Sequence, residues 1–324
     1  MGRRQRSSSS GYLNSRAGGA AGTFLITLLL VLAIGVFAYS GWRLFNYYMA
    51  YKQGSDEYSD LNDEYMNATP DAVPQTDRPA SQEEPVSGET EGTLASEALA
   101  DVEALDDPVK RTKVLEGAYR EETVENGKPK ALPKLKNPVD FAELQSINPD
   151  VIGWIRVGAV NISYPVTQAK DNEYYLHRTF KKVDNFAGCI FENCTNSPFF
   201  TDQNTILYGH NMKNGSMFGQ LKKFSEQETF DKNPYFWIFT KDFIFQYRIF
   251  SSSVVSKIGD PYITRFSQVD FQKYIEKAIA SSEIKCGDVQ VTADDRIVTL
   301  STCTGNDATR RILQGVLTQV YLAA

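Results

Sequence analysis

From Ala17 to Trp42 the chain carries no charged residue, and its centre, residues 24–39, is dominated by Leu, Ile, Val and Phe. About 20 apolar residues cross a bilayer core as a helix. In hydrocarbon, a single segment can satisfy its own backbone only as a helix. A cleaved signal peptide fits less well, because the apolar run exceeds a usual h-region and no small-x-small site follows it closely. Myristoylation at Gly2 is excluded, since Arg6 stands where the motif requires Ser or Thr. Arg3, Arg4, Arg6 and Arg16 precede the run with no acidic residue among them. That bias predicts a cytoplasmic N-terminus and a chain that continues outside the cell. Residues 1–19 therefore read as a basic cytoplasmic tail and 20–42 as a single-pass membrane anchor, with Trp42, Tyr47 and Tyr48 as aromatic anchors in the far interface.

Residues 43–136 read as an extracellular acidic linker. From about residue 54 the segment is poor in large aliphatic residues, and 69–92 is dense in Pro, Glu, Ser, Gln and Thr. Such a composition buries too little apolar surface to offset its ordering entropy and predicts a disordered, solvated stalk. Within it, part of 51–67 is a candidate extension of the membrane helix and 99–115 a weak amphipathic helix.

At about Asn137 the composition turns aromatic and β-branched, which places a folded domain over 137–324. A short helix is expected over 137–144. Strands are expected over 151–157, 161–166, 206–208, 235–239, 243–255, 296–304 and 311–322. Ser267 and Asp270 form a capping-box-like start, after which Phe271, Tyr274, Ile275, Ala278 and Ile279 repeat at helical spacing. Many short strands with few helices imply a barrel or sandwich.

The chain has a net charge of −6, which disfavours a phosphate-backbone partner, so no nucleic acid is expected. Its chemistry is easy to enumerate, because it has only two histidines and four cysteines. In the strand over 296–304, Ile297, Thr299, Ser301 and Cys303 share one face, and Val298, Leu300 and Thr302 the other. Cys303 ends that strand before the turn Thr304-Gly305-Asn306-Asp307, a good position for a nucleophile. The bare residue is equally consistent with a small buried core thiol. His210 follows a short strand and precedes a loop rich in Asn and Gly, where functional residues concentrate. His177 has bulky aromatic neighbours and reads as a packing or capping residue. Arg310 and Arg311 lie seven and eight residues beyond Cys303. A hairpin-like return would bring a cation near the thiol, where it can stabilise an oxyanion. Strand parity does not choose between the two.

Taken together these segments resemble the class B sortases, cysteine transpeptidases of Gram-positive bacteria. Thr299-Leu300-Ser301-Thr302-Cys303 matches the family's TLxTC signature, with an arginine at the usual distance. The run from Tyr208 to Phe218 resembles the class B catalytic-histidine loop. Further matches are Asp150-Val151-Ile152-Gly153-Trp154-Ile155, Tyr164-Pro165-Val166, Asn172-Glu173-Tyr174-Tyr175-Leu176 and Asn204-Thr205-Ile206-Leu207. The resemblance implies a mostly β fold, a closed eight-stranded barrel with a few peripheral helices. It implies Cys303, His210 and Arg311 as catalytic residues, Arg311 because the family's arginine directly precedes the last apolar strand. It also implies Asn172, Leu176, Tyr208, Ser301, Tyr262 and Ile263 as groove residues. The implied substrates are a secreted protein bearing a sorting signal and an acceptor amine, from a peptidoglycan precursor or a pilin, with no cofactor and no metal. Cys189 and Cys194 depart from the family pattern, and a disulfide between them is one outcome in an oxidising compartment.

Overall fold

The computed structural model describes residues 17–66, 108–121, 124–125, 128–129, 131–287 and 289–324. The arginines at 3, 4, 6 and 16, and the Pro- and Glu-rich stretch of the linker, lie outside the described residues. The chain divides into two compact units, 1–52 and 53–324.

In the first unit, helix α1 (Ala17–Tyr65) begins, and its apolar part is long and apolar enough to cross a membrane. Phe24, Leu29, Phe37 and Trp42 on this part are all exposed, as side chains facing lipid would be.

The second unit opens with the last turns of α1. Gly54, Glu57, Tyr58, Leu61 and Tyr65 recur at helical spacing, and all five are buried. Helix α2 (Pro108–Glu121) buries Leu115 and Tyr119, and the Tyr119 ring meets Phe243 and Phe245 edge-on, each at 5.4 Å. Helix therefore stands at both flanks of the linker, through Tyr65 within the candidate extension over 51–67 and from Pro108 overlapping the candidate helix over 99–115. The first flank is acidic and the second, 108–121, is net basic, yet each carries large side chains at helical spacing, and that stripe, rather than the average composition, determines burial.

A short hairpin, β1 (Val124–Glu125) with β2 (Lys128–Pro129), and strand β3 (Lys134–Leu135) lead to helix α3 (Phe141–Ile147). The helix starts later than its sequence suggested, because the Asp140 side chain caps it by accepting from the Glu143 N–H. The strands that follow are β4 (Val151–Val157), β5 (Ile162–Thr167), β6 (Ile190–Glu192), β7 (Asn204–Tyr208), β8 (Tyr235–Phe239), β9 (Phe243–Ser256), β10 (Ile297–Cys303) and β11 (Thr309–Ala323). Helix α4 (Gln227–Lys232) precedes β8, and α5 (Gln268–Ala280) precedes β10.

The sheet runs in the order β10-β7-β6-β5-β4-β8-β9-β11, and β10 also pairs with β11, so eight strands close into a barrel. Strand β3 adds to β11 outside the closed ring. Closure removes the free edges that an open sheet would expose. Trp154, Leu207, Leu300 and Leu313 are completely buried. Helix α5 forms a second core layer on the wall, where Phe271, Tyr274, Ile275 and Ala278 pack with Phe250, Ile297 and Val316. Ile279 falls off that face and is exposed.

Candidate active site

Strand β10 supplies the thiol. Its alternation puts Val298 and Leu300 on one face, both fully buried, and Thr299, Ser301 and Cys303 on the other. That second face is covered at Thr299 and Ser301. Thr299 Oγ1 donates to Asn204 Oδ1 at 2.8 Å, and Ser301 Oγ lies 3.1 Å from the Tyr262 hydroxyl. Only at its end does the face open, where Cys303 is half-buried.

Strand β11 runs back antiparallel, and the register places Cys303 opposite Arg310 and Thr302 opposite Arg311. Directly opposed residues of an antiparallel pair project to the same side of a sheet. Farther along the same ladder Gln314 opposes Thr299, and their side chains bond at 3.1 Å. The thiol's face therefore carries Arg310. Its guanidinium donates to the Thr309 carbonyl at 2.8 Å and the Asp307 carbonyl at 3.2 Å. Arg311, the arginine favoured by the sequence resemblance, projects to the face of Thr302. There it contacts Glu283 Oε2 at 2.9 Å and Ser252 Oγ at 3.4 Å.

Strand β7 supplies the imidazole. It lies parallel to β10 with Tyr208 level with Ser301, and the Gly209 N–H donates to the Ser301 carbonyl at 3.2 Å. Two residues beyond these partners come His210 and Cys303, so the parallel register carries both to the same end of the barrel. A β-carbon at Gly209 would collide with Ile190 and Phe218, which leaves room there only for glycine. The loop after His210 folds back through the Phe218 N–H, which donates to the His210 carbonyl at 3.0 Å. His210 Nε2 lies 2.7 Å from the Leu176 carbonyl. A carbonyl can only accept, so Nε2 carries the hydrogen. Burial holds the His210 pKa below its ordinary value, although the bond to Leu176 favours the cation; the neighbouring His177 lowers it further. The His177 ring is 6.3 Å from that of His210, a proximity that its sequence neighbours did not signal.

The six expected groove residues do not form one uniform set. Tyr208 and Tyr262 stack at 6.2 Å, and Tyr262 meets Ser301. Burial pushes the Tyr208 hydroxyl up to about 12, against the pull of the hydrogen bond from Asn193. Burial also raises Tyr262, Ser301 and Arg310 pull it down, and Cys303 raises it, so one phenol senses both the thiol and the cation. Leu176 presents its carbonyl to His210. Ile263 is exposed, and its carbonyl accepts from Asn204 Nδ2 at 2.8 Å, with the Pro261 carbonyl at 3.2 Å from the same amide. Asn172 uses its side-chain oxygen on the Cys194 N–H at 2.8 Å. Asn204, completely buried, was not singled out from sequence. Its one signal was its place at the head of the matched run Asn204-Thr205-Ile206-Leu207, which assigned it no role.

All four cysteines are free thiols, including Cys189 and Cys194, for which a disulfide was considered. Burial pushes Cys189 up to about 12 and Cys286 up to about 11, so both are poor nucleophiles.

A family model described as a sortase domain matches residues 155–317. The curated sortase B of Listeria monocytogenes is 36% identical over 184 residues, covering 55% of this chain and 74% of that protein. The curated sortase B of Staphylococcus aureus is 33% identical over 176 residues, covering 53% of this chain and 72% of that protein. Among solved structures, sortase B from B. anthracis in complex with AAEK1 is similar at a TM-score of 0.53 and 37% identity, covering 58% of this chain and 89% of that one.

Proposed function

The chain belongs to the sortase family, as a class B member, and from that premise we propose that it cleaves a sorting signal on a secreted protein and transfers the acyl group to an amine of the cell envelope. The observation that carries this reading is the meeting of three strand ends. Cys303 ends β10, Arg310 opposes it on β11, and the β7 ladder delivers His210 to the same end.

In the proposed reaction the Cys303 thiolate attacks the carbonyl carbon of the scissile peptide. An S–C bond forms, and the carbonyl electrons move onto oxygen. Arg310 stabilises that oxyanion, because its guanidinium is always charged and presents several donors. When the tetrahedral species collapses, the C–N bond breaks and the His210 imidazolium gives its proton to the leaving amine. An acceptor amine then attacks the thioacyl carbon and loses its proton to His210, and the thiolate leaves. Tyr208, Tyr262, Ser301, Leu176 and Ile263 are proposed to line the peptide groove, and Asn172 to shape it through Cys194. The acceptor is proposed to be a peptidoglycan-precursor amine, with a pilin amine as the alternative. The domain over 137–324, supported by the upstream helices, is proposed to work outside the membrane with α1 as its anchor.

A cysteine peptidase with the same residues would release the acyl group to water. The two are distinguished by incubating the full chain in micelles with a fluorogenic sorting peptide, with and without an added amine. An amide product that grows with amine at the expense of free acid supports transfer. A product distribution that ignores the amine supports hydrolysis.

A further inference from the structure

The segment 174–189 carries the Leu176 carbonyl that holds His210, and the last turns of α1 lie against it. Tyr58 is buried, and its hydroxyl donates to the Gly188 carbonyl at 2.6 Å while accepting from the Phe180 N–H at 3.2 Å. One turn of helix thus bonds both limbs of the segment. Glu57 Oε1 accepts from the Lys181 N–H at 2.9 Å, next to the first of these limbs. On the returning limb, a β-carbon at Gly54 would sit 3.3 Å from Asn185 Oδ1, so the helix backbone itself is in close contact.

The two limbs are also fastened to each other. The Asn185 N–H donates to the His177 carbonyl, and the Cys189 N–H to the Tyr175 carbonyl, each at 2.9 Å. Gly188 has φ +60, and a β-carbon there would lie 2.6 Å from the Leu176 carbonyl oxygen and 2.7 Å from that of Tyr175. Gly188 is therefore the point at which the returning limb presses on the acceptor of His210. Three contacts in series follow: Tyr58 hydroxyl to Gly188 carbonyl, Gly188 backbone against the Leu176 carbonyl, and Leu176 carbonyl to His210 Nε2 at 2.7 Å.

We propose that Tyr58 is a positioning residue for the catalytic histidine, acting from the membrane-proximal helix through Gly188 and Leu176. The helix then serves as a clamp on the site as well as a connector. The proposal rests on the sortase reading only where it calls His210 catalytic; the mechanical link stands on the contacts alone.

The test uses the full chain in micelles and reads His210 directly by carbon-detected NMR titration of the imidazole. The chain has only two histidines, so two signals appear, and His177→Gln assigns them. The relay ends at the Leu176 carbonyl, whose bond favours the imidazolium, so loosening it moves the midpoint downward, further below the free-imidazole value of about 6.5. The titratable group facing His210 is His177, whose ring lies 6.3 Å away. Tyr58→Phe is expected to lower the His210 midpoint and to slow acylation. Tyr119→Phe removes another buried tyrosine hydroxyl, bonded to the Phe199 carbonyl at 3.2 Å, and is expected to leave the midpoint unchanged. Should Tyr58→Phe fail to fold, Glu57→Ala is expected to move His210 in the same direction, and Glu57→Gln, which keeps the acceptor oxygen, to restore it. A His210 midpoint in a folded Tyr58→Phe or Glu57→Ala variant that matches wild type, or shifts no more than in Tyr119→Phe, overturns the proposal. If instead His210→Ala retains full activity while Tyr58→Phe still shifts the midpoint, the sortase reading of His210 fails and the clamp survives.

Discussion

Cys303 stands directly across the β10–β11 ladder from Arg310, while Arg311 stands across from Thr302 and pairs with Glu283 at 2.9 Å. Two adjacent arginines thus occupy opposite faces of one strand, and their substitution should separate two different effects. Arg310→Ala is expected to slow single-turnover acylation by about 100- to 1000-fold, the usual loss of an oxyanion donor. Arg310→Lys should recover only part of it, since an ammonium lacks the planar fork. Arg311→Ala is expected to cost about 1 kcal/mol of stability through the lost Glu283 pair and to leave acylation within a few-fold of wild type. Acylation rates and denaturant midpoints of the three variants check this, and a dead Arg311→Ala enzyme that folds normally would reverse the assignment.

The cysteines should divide cleanly. Cys303→Ala is expected to remove all acylation and transfer while leaving the barrel folded. Cys189→Ser and Cys286→Ser should retain most activity, because burial raises the pKa of both thiols and neither lies at the strand-end cluster. Thermal melts beside peptide-cleavage assays distinguish a folding defect from a chemical one.

The depressed pKa of His210 has a sign in stability. Between its folded value and about 6.5 the unfolded chain binds more protons than the folded one. Stability from this group is therefore fully present above about pH 6.5 and is lost as pH falls toward the folded value. His210→Gln should flatten the stability profile across that window, as measured by urea midpoints from pH 5 to 7.5. An unchanged slope would mean that His210 is not held neutral by burial.

Asn204 tethers the groove from below. It donates to the Ile263 and Pro261 carbonyls and accepts from Thr299. Asn204→Ala removes these three hydrogen bonds, at about 1–3 kcal/mol. The expected kinetic effect is a rise in KM for the sorting peptide larger than any fall in kcat, because Ile263 and Tyr262 touch the proposed groove and not the reacting bond. Steady-state kinetics on a folded variant with kcat reduced and KM unchanged would refute this role.

Much of this was readable in the chain. The strand ending at Cys303, the loop opening at His210 and the helix starting at Ser267 each carry a local periodicity or cap that survives folding. Local pattern left Arg310 and Arg311 open and the family resemblance favoured Arg311; the face each takes depends on how many residues the turn after Cys303 uses. A one-residue change in register swaps the faces. The role of Asn204 was hidden because its partners lie 57, 59 and 95 residues away, although the residue itself opens a matched run. The clamp by Tyr58 was hidden by averaging, since an acidic segment with a buried residue every third or fourth position, two of them tyrosines, looks like a solvated linker when only its composition is counted.

The central claim is covalent, so the most direct measurement is intact-mass spectrometry of the full chain mixed rapidly with a sorting peptide. The account predicts a transient adduct equal to the acyl fragment, located on Cys303 by peptide mapping, and discharged faster as amine is added. Cleavage of the peptide at the wild-type rate by Cys303→Ala, or an adduct on another residue, would contradict it.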